Sequence, residues 1–466
     1  MYDRINLPDS IDEYVARGIK KGRKLKKRQL FKRTTGAMIS IILVIFVFGI
    51  RVSPVFAANV AKIPGLKYIV ELISLDKGLT SAVDNNYIQN INQSLEKNGI
   101  KFTVRDIIAD NSGIIIFYNL DNKTDFVHPY FQDLKLLDES RNELKMSSSY
   151  GLGGSSKNFD GKLEFYVVNE NNELGVNPQN NITQSDELPD KVILQFKISV
   201  DVPKNNAELE PVKDNKGFSE PQNNSKALDG IYEFPITIDK SKFSSMEKVY
   251  KIGRSVEIEG QKIYFDEIKT YPIKSILSIS FDKSNSMRIF SFDDLKLIDE
   301  TGQEWGRITN GMSGSYPGEE SQKLNFQSNY FNKPKKLYIT GSSAQALDKE
   351  KCFFTLDIKN KKIISPYDLL TLTDLSLEKD KLFFEANIKK DISDIHRSYQ
   401  ISNEAVDANG NKLEIVSEGM SSGEQISGMD YSIKLSKDFK GPITFKINGY
   451  PTRIKGGFKV EIPLED

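Results

Sequence analysis

Two stretches of this chain repeat one another in a single ungapped register, 161 positions apart. Gly99, Lys101, Phe102, Val104, Asp106 and Ile107 return as Gly260, Lys262, Ile263, Phe265, Glu267 and Ile268. Phe131, Asp133, Leu134, Lys135, Leu136, Asp138, Glu139 and Glu143 return as Phe292, Asp294, Leu295, Lys296, Leu297, Asp299, Glu300 and Glu304. Lys162, Leu163 and Phe165 return as Lys323, Leu324 and Phe326. A repeat constrains a fold more than composition does, because each copy must be one structural unit built the same way. A fainter third copy follows at a shift of 108 from the second. There Asp299 and Gly302 meet Asp407 and Gly410, and Phe331, Pro334, Leu337 and Ile339 meet Phe439, Pro442, Phe445 and Ile447. The first copy closes comparably at Pro189, Val192 and Leu194, after an insertion rich in Asn and Gly.

Each copy opens on an alternating strand such as KFTVRDI, passes through DLKLIDETG, and closes on a strand such as KLYIT. Alternating apolar residues broken by turn residues every ~8–12 positions predict antiparallel β-sandwich modules of the Ig-like type. The recurring carboxylates Asp138-Glu139 and Asp299-Glu300 sit where a hairpin needs turn residues. In the third copy the second carboxylate is Ala408, which a turn tolerates and a ligand set would not.

The second constraint is a run of 17 residues without a charge, TTGAMISIILVIFVFGI, between Arg33 and Arg51. A helix rising ~1.5 Å per residue spans the hydrocarbon core with about that length. The chain carries 64 basic and 64 acidic residues, with 11 basic and 4 acidic ones within positions 1–33. Lys20, Lys21, Arg23, Lys24, Lys26, Lys27, Arg28, Lys32 and Arg33 are the topology signal that keeps this end in the cytoplasm. A competing reading is a cleaved signal peptide, since Val55-Phe56-Ala57 before Ala58 resembles a small-residue cleavage site.

The expected organisation is therefore a basic cytoplasmic tail (1–33), a transmembrane helix (34–50) and a juxtamembrane helical segment (51–97). There follow β-module 1 (98–203), a linker and connecting strand (204–255), β-module 2 (256–362) and β-module 3 (363–466). The fold class is mainly β, with one transmembrane helix and short flanking amphipathic helices. The tail carries one such helix. Ser10 with Glu13 fits a capping box, and Ile11, Tyr14, Val15 and Ile19 form one apolar stripe. With no core of its own to cover, that stripe is expected to bind the membrane surface or a cytoplasmic partner.

No sequence feature points to an enzyme. There is no Gly-rich phosphate loop, nucleophile elbow or metalloprotease helix. One cysteine, Cys352, and two histidines, His128 and His396, leave no disulfide and no Cys/His zinc set, so neither cofactor nor metal is expected. Trp305 and the tyrosines are expected in cores. The basic tail lacks the aromatic platforms of a nucleic-acid binder.

Three segments carry a family resemblance: LPDSIDEYVARGIKKGRKLKKR, RVSPVFAANVAKIPGLKYIVELI and LDKGLTSAVDNNYIQNINQSLEKNGIKFTV. Over about residues 5–120 the chain resembles Gram-positive bacterial single-pass membrane proteins with an ectodomain of unknown function. These are regarded as anti-sigma factors associated with sigma factors of the extracytoplasmic-function group. The resemblance implies a tail that holds a sigma factor through Ile11, Tyr14, Val15 and Ile19, and extracellular modules that sense an envelope ligand. The alternative is a cell-surface structural or adhesive protein whose modules bind an envelope polymer or protein.

Overall fold

The computed structural model describes residues 67–151, 157–167, 182–183, 188–201, 225–243, 247–306, 314–366, 370–389, 399–422 and 426–464. Ile11, Tyr14, Val15 and Ile19, the basic residues from Lys20 to Arg33 and the apolar run 34–50 lie outside the described residues. Among those described, no helix is long and apolar enough to cross a membrane. The chain divides into two compact units, 1–75 and 76–466. The described part of the first contains a short helix, α1 (Lys67–Ile73).

The second unit is mainly antiparallel β. It opens with helix α2 (Lys77–Asp84), which buries Gly78, Leu79, Ala82 and Val83. Its N-cap is Asp76, whose carboxylate accepts the Leu79 N–H at 3.0 Å and so satisfies one of the helix's otherwise unpaired donors. The helical segment expected to run to residue 97 stops at Asp84, and residues 89–97 are strand β1 (Gln89–Lys97). Ile88, Ile91 and Leu95 are spaced as on a helical face, but Ile88 precedes the strand, and Ile91 and Leu95 share one face of its alternation, which carries a β-bulge between Asn90 and Gln93. Asn92, inside the bulge, has φ 56°. Asn98 and Gly99, at φ 49° and 75°, then make the tight hairpin turn to β2 (Ile100–Asp110).

The first module continues with β3 (Gly113–Asn122), β4 (Val127–Leu137), β5 (Glu143–Leu144), β6 (Met146–Tyr150), β7 (Asn158–Val167), β8 (Ile182–Thr183), β9 (Lys191–Asp201), β10 (Ser225–Ala227) and β11 (Tyr232–Thr237). One sheet runs β1-β2-β3-β7-β6 and the other β10-β9-β4-β5-β8, with β11 also on β9. Phe102 of the first sheet meets Phe131, Phe196 and Phe234 of the second at ring-centroid distances of 5.9, 4.7 and 5.4 Å. The two layers thus share one aromatic core.

The second module contains β12 (Lys248–Ile258), β13 (Gln261–Thr270), β14 (Lys274–Phe281), β15 (Met287–Phe292), β16 (Lys296–Asp299), β17 (Glu304–Trp305), β18 (Gly314–Gly318), β19 (Ser321–Gln327) and β20 (Leu337–Asp348). Its sheets, β12-β13-β14-β19-β18 and β15-β20-β16-β17, close on a core that includes Trp305. The repeat holds down to its irregularities. Bulges at Asn90/Gln93 and Val104/Asp106 reappear at Lys251/Arg254 and Phe265/Glu267.

The third module comprises β21 (Phe353–Asp357), β22 (Lys362–Ile364), β23 (Leu370–Glu378), β24 (Lys381–Lys389), β25 (Gln400–Val406), β26 (Lys412–Ser422), β27 (Ile426–Lys434) and β28 (Ile443–Gly449). They form one sheet in the order β22-β21-β28-β25-β26-β27-β24-β23, curled into a near-barrel. The cause is β26. It pairs with β25 at Lys412 and Leu413 and with β27 from Glu414 onward, so a single strand joins the two layers. In the second module the corresponding strands β17 and β18 belong to different sheets.

The last strand, β29 (Arg453–Ile462), leaves the third module and pairs with β20 of the second, from Leu337–Ile462 to Gln345–Arg453. Ile454, Val460 and Ile462 are members of the second core. β11 does the same for the first module, setting Phe234 opposite Leu194 as Val460 stands opposite Ile339. The third module is therefore inserted between β20 and β29, where the first module has only the segment from β9 to β11. Sheet pairing crosses the expected 362/363 boundary in both directions. Residues 353–364 join the third module and 453–462 complete the second. Within the expected 204–255 linker, β11 and the start of β12 are sheet members.

The repeated acidic element is the same hairpin turn in all three modules. Asp138, Asp299 and Asp407 each accept the backbone N–H four residues on, at 2.8, 3.0 and 2.9 Å. Residues three positions on, Arg141, Gly302 and Gly410, hold φ of 66°, 83° and 82°. Burial opposes ionisation of Asp299, but donation from the Thr301 hydroxyl and the Gln303 and Thr301 amides outweighs it and holds the carboxyl below its usual range. The turn's contribution is thus present above the ordinary carboxylate range and is lost as pH falls through the lowered value. Asp299→Ala leaves those donors unpaired and is expected to cost about 1–3 kcal/mol in chemical denaturation at neutral pH.

Candidate functional site at the junction of the first two modules

The turn from β2 to β3 and the turn from β13 to β14 are the same element in two copies, and in the fold they meet. Asp110 and Ser112 on one side correspond, at the shift of 161, to Tyr271 and Ile273 on the other. The Asp110 carboxylate takes the Ser112 N–H at 2.8 Å and the Ser112 hydroxyl at 2.6 Å on one oxygen. Its other oxygen takes the Ile273 N–H of the second module at 2.7 Å. One buried side chain therefore stitches two modules together.

The copies also differ in charge where they touch. Gly113 of the first turn is replaced by Lys274 in the second. Lys274 is 3% exposed, and its ammonium lies 4.1 Å from the centroid of the Tyr166 ring on β7. A cation over an aromatic face recovers part of the lost hydration. Glu164, also on β7 and 2% exposed, is in contact with Lys162. Asp76, the cap of α2, feels both Lys162 and Glu164. The cluster therefore holds three carboxylates, Asp76, Asp110 and Glu164, and two lysines, Lys162 and Lys274.

Burial sets the titration of these groups. It pushes Asp76 up to about 6, against the Leu79 hydrogen bond and the Lys162 charge. It raises Asp110 as well, against donation from Ser112 and Ile273. It lowers Lys274 to about 8, with the Asp110 and Glu164 charges pulling the other way. The Tyr166 phenol is driven well up by burial and then by Glu164, Asp76 and Asp110. Each shift carries the sign expected of charge taken out of water and incompletely compensated.

Helix α2 wedges against this junction. The Lys77 N–H donates to Gln327 Oε1 at 3.2 Å and its ammonium to the Glu304 carbonyl at 2.9 Å. Ser81 bonds Asn332 at 2.7 Å. Beyond the helix, Tyr87 donates to the Ala109 carbonyl at 2.9 Å. Its ring packs on Phe243 and Phe331, at 4.9 and 5.5 Å. The segment LDKGLTSAVDNNY is thus the keystone of the two modules.

None of the residues singled out from sequence for partner binding or topology falls here, since all lie outside the described residues. Local sequence pattern does not single out the junction residues Asp110 and Lys274. The signal that would have found them is the repeat itself, where a Gly in one copy becomes a Lys in the other. Elsewhere, a cleft of about 30 Å³ lined by Asp282, Arg288, Glu319, Glu320 and Lys349 has room for about one water. Among the described residues, no group of three or more His, Cys, Asp or Glu is placed to hold a metal ion.

Residues 26–122 match a domain of unknown function (DUF4179), and residues 247–373 match a family of unknown function (DUF5643). No curated protein matches the chain. A solved structure described as the crystal structure of the conserved domain protein from Bacillus anthracis is 21% identical, covering 60% of this chain and 84% of that one, with a TM-score of 0.37.

Proposed function

We propose that this chain is a single-pass membrane regulator with an anti-sigma-like cytoplasmic tail and Ig-like sandwich modules outside the cell acting as the sensor. The observation that supports this reading is the keystone role of α2. The chain that follows the apolar run 34–50 enters the modules through Asp76 and α2, so the junction of the first two modules lies at the root of the extracellular part. A ligand or stress that alters the junction acts on the element through which the chain enters the modules. On the other side of the membrane, Ile11, Tyr14, Val15 and Ile19 offer one apolar stripe to a sigma factor of the extracytoplasmic-function group.

The test is a pull-down with residues 1–33 from cytoplasmic extract, against an Ile11/Tyr14/Ile19 triple alanine variant. Recovery of a sigma factor by the wild-type tail, lost in the variant, is the expected result. Equal recovery, or none, would leave the tail as an anchor and favour a surface-binding role for the modules.

A further inference from the structure

The tethers of the third module leave from one end of its strands. β21 departs from the second module at Phe353 and β28 returns towards it at Gly449, so the turns that follow β21 and precede β28 lie at the opposite end. Four turns meet there. Leu356 faces Ile443 in register, which sets the turn 358–361 beside the turn 435–442. The Ala408 N–H donates to the Lys440 carbonyl at 2.9 Å, and the Leu435 N–H to the Asp380 carbonyl at 2.7 Å. Those two bonds bring the β25–β26 and β23–β24 turns to the same end.

This end gathers the basic charge of the module. Of the thirteen Lys and Arg residues in 353–449, nine fall within 357–362, 378–381, 407–412 and 434–442, with only five of the fifteen Asp and Glu. Lys412 and Lys434 are paired with Glu404 and Glu414, and Lys362 stands opposite Asp357 in register. The other six, Lys359, Lys361, Lys379, Lys381, Lys437 and Lys440, are exposed and make no ion pair among the described residues. Against them stand Glu378, Asp380 and Asp438, since Asp407 is bonded within its own turn.

The fold bears costs to keep these lysines in place. Lys361 and Lys379 hold φ of 48° and 55°, a region that suits Gly or Asn, and Lys381 stands opposite Lys434 in register. The hairpin β23–β24 is the counterpart of β13–β14, since its second strand pairs with β27 as β14 pairs with β19. The β13–β14 turn is closed against the first module, whereas Lys379 and Asp380 are exposed. The element that joins modules in one copy is a bare basic turn in the other.

We propose that this end of the third module binds a flexible polyanion through its unpaired lysines. Lysine is a point charge without the fork of arginine, so it holds an anionic chain by charge rather than by one fixed geometry. The one aromatic residue in the four turns, Phe439, packs on the module's core, which leaves no stacking platform for nucleobases. The module's exposed large hydrophobics lie on its strands, so the turns offer lipid no apolar wedge. The proposal rests on the reading of the modules as a sensor and gives that sensor a class of ligand.

The experiment is lysine acylation footprinting of the full-length chain in nanodiscs of neutral lipid, with long-chain inorganic polyphosphate as the probe. Labelling of Lys359, Lys361, Lys379, Lys437 and Lys440 is expected to fall about fivefold at low salt and to recover in about 1 M salt. Lys389, exposed at the other end of β24, is the internal control and should not change. Lys361→Asn with Lys379→Asn suits the turns at least as well, as Asn98 does at φ 49°. The third module should then melt no lower, while protection of Lys359, Lys437 and Lys440 weakens. Lys437→Glu with Lys440→Glu should abolish the protection of Lys359 and Lys361. Unprotected turn lysines in the wild type, protection that spreads equally to Lys389, or protection that survives the charge reversal overturns the proposal. Protection by phosphatidylglycerol vesicles where polyphosphate gives none also overturns it and assigns the surface to a membrane. The tail pull-down involves none of these residues, so failure of polyanion binding and failure of the signalling reading are separable.

Discussion

Deleting residues 453–466 is expected to unfold the second module, although these residues follow the third module in sequence. The deletion removes β29, which pairs with β20 along its length and supplies Ile454, Val460 and Ile462 to the second core. Losing three buried aliphatic side chains at about 1.5–3 kcal/mol each would exhaust much of a module's net stability before the lost backbone pairing is counted. The third module should lose less, since its core draws mainly on strands from β21 to β28, with Phe290 and Leu347 from β15 and β20 and none from β29. The converse deletion is expected to be milder, uncovering Phe290 and Leu347 while leaving the second core in place. Ala346 and Thr452 are already joined by backbone hydrogen bonding at 3.0 Å, and Gln345 faces Arg453 in register. Replacing residues 348–451 with a short hairpin turn should therefore leave the second module folded. Calorimetry of the two deletions checks both halves. Loss of the third module's transition alone in the C-terminal truncation would refute the assignment of β29.

That insertion marks the limit of what the sequence made legible. The repeat at 161 located β2, β4 and β7 and their counterparts β13, β15 with β16, and β19, because similar residue patterns impose similar pairing. It said nothing of β29, since which sheet a strand joins is a matter of tertiary proximity rather than local pattern. The third copy shows another blind spot. Its shift of 108 holds at the Asp407 turn, yet the closing strand sets Phe445 opposite Ala405, as Ile339 stands opposite Leu297. The spatial equivalent of Ile339 is thus Phe445 rather than Ile447, a slip of two. A slip of two preserves which residues face inward, so alternation cannot detect it. At β1, Ile88, Ile91 and Leu95 are spaced as on a helix, although Ile88 precedes the strand and Ile91 and Leu95 lie on one face of its alternation. The junction was hidden differently. Asp110 and Lys274 are separated by 164 positions, and only the fold brings their turns together.

A side chain at position 78 is expected to break the junction outright. Gly78 lies in the first turn of α2, and a Cβ there would sit 2.4 Å from the Ser328 nitrogen, 2.8 Å from its carbonyl oxygen and 3.0 Å from its Cα. All three atoms are backbone, so no rotamer change can relieve the clash. Either α2 or the segment after β19 must move. Moving the helix forfeits the Lys77 bonds to Gln327 and Glu304 and the Ser81 bond to Asn332. It also uncovers Leu79, Ala82 and Val83. Gly78→Val is therefore expected to cost about 3 kcal/mol or more, the upper end for overpacking at a site that cannot relax. The loss should appear as exchange of the α2 amides and as proteolysis between Asp76 and Gln89. Ser328→Gly in the same chain should not rescue it, because trimming that side chain leaves every clashing atom in place. Rescue by Ser328→Gly would mean that α2 is held by something other than backbone contact, and the keystone would have to be sought elsewhere.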